Sequence, residues 1–128
     1  AEEKDVGILV RVPEASGILT GKVNADTKFD DNDHRSVRKR EWLKASLKKV
    51  EQLKPIANRN GLNITEFAMK FMMTKKGFAT VLPTMISEEE IVNYAQMSDG
   101  KYISESDMKE VEDLYNTWPS YELKATSQ

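Results

Sequence analysis

The sequence predicts a helix-rich α/β chain with about two parallel strands and four or more helices. Three observations carry that expectation. Residues 6–12 and Phe78–Leu82 are short β-branched and aliphatic runs, each stopped by a proline, Pro13 or Pro83. Between them lie two segments whose apolar residues recur at three- and four-residue steps, and two further helical patterns follow the second run. Strands joined by helical crossovers, with no tight turn between them, pair in parallel.

Taken in order, residues 6–12 form a nearly continuous apolar run, which suits a strand buried on both faces. Residues 14–21, with Ser16, Gly17 and Gly21, read as a loop or tight turn. Residues 24–40, "NADTKFDDNDHRSVRKR", are polar, with Phe29 and Val37 as the main apolar anchors beside Ala25. So long a loop inside a domain is usually functional or mobile. Trp42, Leu43, Leu47, Val50, Leu53, Ile56 and Ala57 then make the stripe of an amphipathic helix. Pro55 removes a backbone donor and should bend or break that helix near Glu51. Gly61 is its natural stop.

Asn63 followed by Glu66 resembles an N-cap with a capping glutamate. The helix it opens should bury Ile64, Phe67, Ala68, Phe71 and Met72 and end by Gly77. After the second strand, Ser87 with Glu90 makes a capping box for a helix running to about Asp99 and Gly100. Ser104 with Asp107 opens the last helix, expected to bury Met108, Val111, Leu114, Tyr115 and Trp118 before Pro119. Two strands alone make a poor sheet. Their neighbours are expected from elsewhere.

Composition narrows the function classes. A chain of 128 residues suits one domain, and 39% hydrophobic with 31% charged residues is a soluble, globular balance. A net charge of −2 gives no reason to expect a nucleic acid or an acidic membrane as partner. The basic run "RSVRKR" follows "DDND", which cancels part of its field, so it reads as a salt-bridged or substrate-lid loop. The absence of cysteine excludes disulfides and thiol chemistry and fits a cytoplasmic location. No apolar run approaches a membrane span, and "AEEKD" lacks the pattern of a signal peptide. The lack of an initial methionine reads as a processed or trimmed boundary. His34 is the single histidine, too poor a ligand set for a metal, and is expected to anchor its loop.

Four stretches carry a family likeness. "GILVRVPEASGILTGK" resembles the sixth strand and following loop of aldo-keto reductases. "LKKVEQLKPIANRNGLNITEFAMKFMM" resembles a helical segment of the same family. "FATVLPTMISEEEIVNYAQ" resembles its seventh strand and cofactor-binding helix, and "DDNDHRSVRKREWL" is similar to an insert in one branch. The matches keep their order from Val6 to Trp118. The resemblance implies a (β/α)8 barrel, which takes ~250 residues. The chain is therefore expected to be the C-terminal half-barrel, a fragment beginning near strand six. The family moves hydride between a nicotinamide dinucleotide and a carbonyl. Its catalytic tetrad of Asp, Tyr, Lys and His would lie in the other half, so no catalytic residue is assigned here.

The resemblance places a pyrophosphate loop at Arg11, Val12, Pro13, Ser16, Gly17 and Leu19. It places a second cofactor-binding group at Pro83, Thr84, Met85, Glu90, Asn93 and Tyr94. Glycine lets backbone approach phosphate, and turn amides aim donors at its oxygens. An ordinary strand-to-loop turn reads the first group equally well. Acidic first-turn residues complementing a helix dipole account for Glu88, Glu89 and Glu90.

Several positions depart from the family pattern. Arg11 stands where a tyrosine usually stacks on the nicotinamide, and it would repel an oxidised ring. Glu14 brings a carboxylate to the phosphate loop. Thr84 and Met85 occupy positions of small polar or basic residues, and Glu90 replaces an arginine that reads a 2′-phosphate. Asn93 and Tyr94 replace a Glu-Asn pair that reads adenine. The family uses NAD or NADP; charge favours NAD here, with weak binding or none expected for this chain.

The expected function is a C-terminal part of an oxidoreductase that contributes to a dinucleotide site and is inactive alone. The alternative is a non-catalytic half-barrel that serves binding or oligomerisation. A third reading is an interaction domain built on residues 34–40. The expected partner is a second copy in a two-fold dimer, or a missing N-terminal half-barrel.

Overall fold

The two apolar runs pair side by side and in parallel. In the computed structural model, which describes residues 1–119, β1 spans Ile8–Arg11 and β2 spans Phe78–Leu82. Leu9 faces Thr80, Val10 faces Val81 and Arg11 faces Leu82, with an irregularity between Ile8 and Leu9. The helices are α1 (Arg40–Arg59), α2 (Ile64–Thr74), α3 (Glu88–Gln96) and α4 (Glu105–Thr117). Single 3-10 turns cover Glu2–Lys4 and Ile18–Thr20. The sheet is two-stranded, with α1 and α2 forming the crossover between its strands.

The core lies among the helices. Leu43, Val50, Ile56 and Ala57 of α1 meet Ile64 and Phe67 of α2, Ile18 of the first loop and Ile103 before α4. Trp42, Leu47 and Leu53 complete the predicted α1 stripe from half-buried positions. The α2 cap forms as the sequence implied. Asn63 Oδ1 accepts the N–H groups of Thr65 and Glu66, and the Glu66 carboxylate accepts the N–H of Asn63. Gly61 adopts φ +69°, the left-handed geometry that ends α1.

Five expectations need correction. β1 is not buried on both faces: Leu9 is 62% exposed, because its strand has one neighbour only among the described residues. Val37, at 87% exposure, does not join the core among the described residues, whereas Phe29 does pack against it. Pro55 does not break α1, which runs on to Arg59. Glu51, whose carbonyl loses its partner to the proline, lies on the exposed side of α1, open to solvent. On α4, Met108, Val111 and Leu114 touch the core from half-buried positions, while Tyr115 is 68% exposed. α3 stops at Gln96, short of Asp99.

Two buried residues of α2, Met69 and Lys70, lie outside the predicted stripe. Lys70 Nζ ion-pairs with Asp99 and donates to the Lys101 carbonyl at 2.9 Å. Thr74 Oγ1 donates to the Lys70 carbonyl and accepts the Ile103 N–H at 3.0 Å. Together these bonds fasten the α3–α4 connection to α2.

Candidate functional site

Because the strands are parallel and Arg11 pairs with Leu82, their carboxyl ends lie together. The loops that follow them converge there, which is where parallel α/β folds place ligands. Between these loops and residues 24–39 lies a cleft of about 700 Å³. Its wall includes Val12, Glu14, Ser16 and Gly17 from the first loop and Thr84, Glu90 and Tyr94 from the second.

The first loop is wound tightly. Val12, Ala15, Ser16 and Gly17 have φ of 53°, 50°, 59° and 84°. For a β-branched residue such as Val12 this is an outlier that surrounding contacts must hold in place. The Ala15 N–H donates to the Val12 carbonyl and the Leu19 N–H to the Glu14 carbonyl. Thr20 Oγ1 closes the turn by donating to the Gly17 carbonyl at 2.7 Å. A Cβ on Gly17 would stand 2.9 Å from Arg35 Nη1, so glycine is also what lets the guanidinium approach.

Three polar contacts set the geometry. Glu14, only 4% exposed, accepts the Thr84 N–H at 2.9 Å and so joins the two loops. Lys22 Nζ reaches Glu90 Oε1 at 2.8 Å across the cleft, and Glu90 Oε2 accepts the Ile86 N–H. Arg35 is held by Asp33, donates Nη1 to the Ser16 carbonyl at 3.1 Å, and lies 4.3 Å from the Phe29 ring centroid. Residues 24–39 are thereby pinned to the turn at Ser16 and Gly17. Arg38 over Trp42 and Arg40 on the Thr27 carbonyl hold the remainder. The basic run is thus largely occupied within the chain.

Titration follows these contacts. The Arg35 side chain, and then its backbone N–H, pull the Asp33 carboxyl down to about 2. Hydrogen bonding to Lys22 and to the Ile86 amide lowers Glu90, and the same Glu90 contact raises Lys22. Burial, then the charges of Glu90 and Glu14, raise the Tyr94 phenol.

The cleft therefore gathers Val12, Ser16, Gly17, Thr84, Glu90 and Tyr94 from the two expected groups. Arg11, Pro13, Leu19, Pro83, Met85 and Asn93 are not on its wall. Leu19 instead lines an apolar groove between α1, α2 and α4, and its carbonyl accepts Thr65 Oγ1. Arg11 and Asn93 point no atom into the cleft and are exposed. Anchoring of the long loop falls to Arg35 rather than His34, whose side chain is largely exposed. Sequence reasoning did not single out Lys22, and it read Asp33 and Arg35 only as members of a salt-bridged or substrate-lid loop. The signal for the last two was a carboxylate two residues before an arginine in a loop that needs fastening. No cluster of three or more potential metal ligands occurs among the described residues, and no helix there is long and apolar enough to cross a membrane.

Parallel strands linked by helices, with a cleft at their carboxyl ends, define this chain as part of a parallel α/β protein. Its whole length superposes on 39% of a glycerol dehydrogenase from Gluconobacter oxydans, at a TM-score of 0.82 and 20% identity, a likeness of fold. The aldo/keto reductase family model matches residues 1–116, and the chain belongs to that family. A probable voltage-gated potassium channel subunit beta from Oryza sativa subsp. japonica is 28% identical over 99 residues, 73% of this chain and 30% of the relative. One of the same description from Arabidopsis thaliana is 29% identical over 91 residues, 67% of this chain and 28% of the relative. The chain thus spans about a third of the length of the proteins it matches.

Proposed function

We propose that this chain supplies one wall of a nicotinamide-dinucleotide site and does not transfer hydride by itself. The observation that carries the reading is the cleft, where the two loops after the parallel strands meet around Gly17 and Thr84. The wall suits such a cofactor. Its volume is in the range of ligand sites. The Ser16 and Gly17 N–H groups, in consecutive left-handed residues, have no protein acceptor among the described residues. Amides left free in a turn are donors for an anion, and Arg35 reaches the Ser16 carbonyl beside them. These groups would hold the pyrophosphate, while Glu14 and the Lys22–Glu90 pair keep the two loops in register. The bound dinucleotide would supply the hydride chemistry.

Carbonyl reduction also needs a proton donor near the substrate oxygen. Tyr94 is the tyrosine on the cleft wall, and burial beside two carboxylates makes its phenol a weaker acid than usual. That is the wrong direction for a general acid at neutral pH. Tyr102 and Tyr115 are exposed elsewhere, and Tyr121 lies outside the described residues.

The test is to titrate the purified chain with NADH and NADPH and to assay aldehyde and ketone reduction. Weak saturable binding without turnover is expected. Coenzyme-dependent turnover would sink the inactivity, and absence of any binding would sink the site. The second reading, a non-catalytic half-barrel module, is favoured by the exposed apolar surface at Leu9, Ile86, Ile91 and Val92. Under either reading the partner is a second copy or the rest of a barrel.

A further inference from the structure

A second hollow, of about 320 Å³, opens where residues 24–39 meet the start of α1. Its charged residues are all cations: Lys28, Arg35, Arg38, Lys39 and Arg40. The acidic run before them does not cancel this charge. Asp33 is spent on Arg35, and neither Asp30 nor Asp31 is on the wall. Glu41 follows in the first turn of α1 and is not on the wall either. Lys28, Arg38, Lys39 and Arg40 form no ion pair among the described residues. Arg38 lies 4.6 Å from the Trp42 ring centroid, and Arg40 donates to the Thr27 carbonyl. A ring and a carbonyl hold these guanidinium groups in place but leave their charge whole.

The cluster also has the wrong sign for its position. α2, α3 and α4 open at Asn63, Ser87 and Ser104, whose side chains accept first-turn amides. α1 opens at Lys39, whose side chain makes no cap. The positive end of a helix favours anions, so cations gathered there repel both the dipole and one another. An anion seated among them removes both costs. We infer that this hollow binds a small phosphate monoester, with Arg38, Lys39 and Arg40 holding its phosphate. Guanidinium forks match phosphate oxygens two at a time, and the Ser36 hydroxyl on the same wall can donate to a third. The volume is at the lower end for ligand sites. Arg38, Lys39 and Arg40 are not on the wall of the cleft after β1 and β2, so this site stands or falls apart from the dinucleotide reading.

The test titrates the 128-residue chain with inorganic phosphate and with pyrophosphate, against sodium chloride at matched ionic strength. NMR follows the backbone amides of residues 38–42 and the Trp42 indole. Saturable shifts there with the phosphates, and not with chloride, are expected. The Lys39 side chain makes no hydrogen bond or ion pair among the described residues, so Lys39→Asp leaves the fold's contacts intact. It should weaken binding about tenfold or more and raise the melting temperature, because aspartate caps α1. Lys39→Gln, which only removes the charge, should weaken binding about threefold. Shifts as large with chloride would reduce the effect to screening and overturn the inference. Saturation centred on Ser16 and Gly17 instead would overturn it too, by placing the phosphate in the cleft alone. Unchanged affinity in Lys39→Asp would overturn it in a third way. Binding to anionic phospholipid vesicles without binding of either phosphate would replace the small-ligand site with a membrane-facing surface.

Discussion

Lys22 Nζ lies 2.8 Å from Glu90 Oε1, a contact between residues 68 apart that joins the loop after β1 to the first turn of α3. Glu90 is depressed, so its contribution is present above its ordinary 4.5 and lost as pH falls through the lower folded value. Lys22 is raised, so its contribution is present below 10.5 and lost as pH rises through the higher folded value. The latch is therefore closed across the neutral range. Lys22 is mostly exposed, so solvent and salt screen the pair, and little global stability rests on it. Glu90→Ala should leave the melting temperature nearly unchanged while speeding amide exchange at Ile86, whose N–H loses its acceptor. An unchanged exchange rate at Ile86 would show that no latch operates.

Residues 24–39 depend on Arg35 and Asp33. The Asp33 carboxyl is held at about 2 against an ordinary 3.8. Its contribution is fully present above 3.8 and lost as pH falls through about 2. Direct titration of this carboxyl by carbon NMR should give a midpoint near 2, and Arg35→Gln should return it towards 3.8. A midpoint already near 3.8 in the unaltered chain would mean that the loop is not pinned in this way.

What the sequence revealed and what it hid divide along range of interaction. The Asn63–Glu66 box, the Gly61 stop and the Phe78–Leu82 strand rest on local backbone chemistry and formed as read. The exposure of Leu9 and Tyr115 depends on which elements have neighbours, and periodicity alone cannot supply that. In the cleft, the glycine turn and Thr84 were legible from their place after the strands. The pairing of Glu14 with the Thr84 amide was not, because it closes over 70 residues and replaces the expected ligand contact with one inside the chain. Lys70 was hidden for a related reason. A lysine on an apolar face normally reads as solvated, and only the α3–α4 connection makes its burial tolerable.

Lys70 makes a separate energetic prediction. Its ammonium is nearly enclosed, while Asp99 keeps partial exposure. Lys70→Ala should cost about 1–3 kcal/mol, from the lost charged hydrogen bonds and a stem that no longer packs. The cost is moderated because Asp99 can resolvate. Lys70→Met, which keeps the stem, should cost less. Urea unfolding of both variants measures the difference. A loss below about 0.5 kcal/mol in Lys70→Ala would place the pair among surface ion pairs of little consequence.

The last prediction concerns the surface that β1, β2 and α3 leave open. Among the described residues β1 pairs only with β2, and a two-stranded sheet is marginal without further strands or covering. Leu9 and Ile86, at 62% and 83% exposure, lie with Val6, Ile91 and Val92 among exposed apolar residues of this region. Unpaired strand backbone beside exposed apolar side chains is a template for association. The chain should therefore self-associate, most simply as a two-fold dimer that buries this region against its copy. Sedimentation velocity across a concentration series should show a dimer, and Leu9→Lys should shift it towards monomer without lowering the melting temperature. A compact monomer at high micromolar concentration would overturn this. The cluster of α1, α2 and α4 would then suffice as a core, with the sheet an exposed appendage whose role is to present the two loops of the cleft.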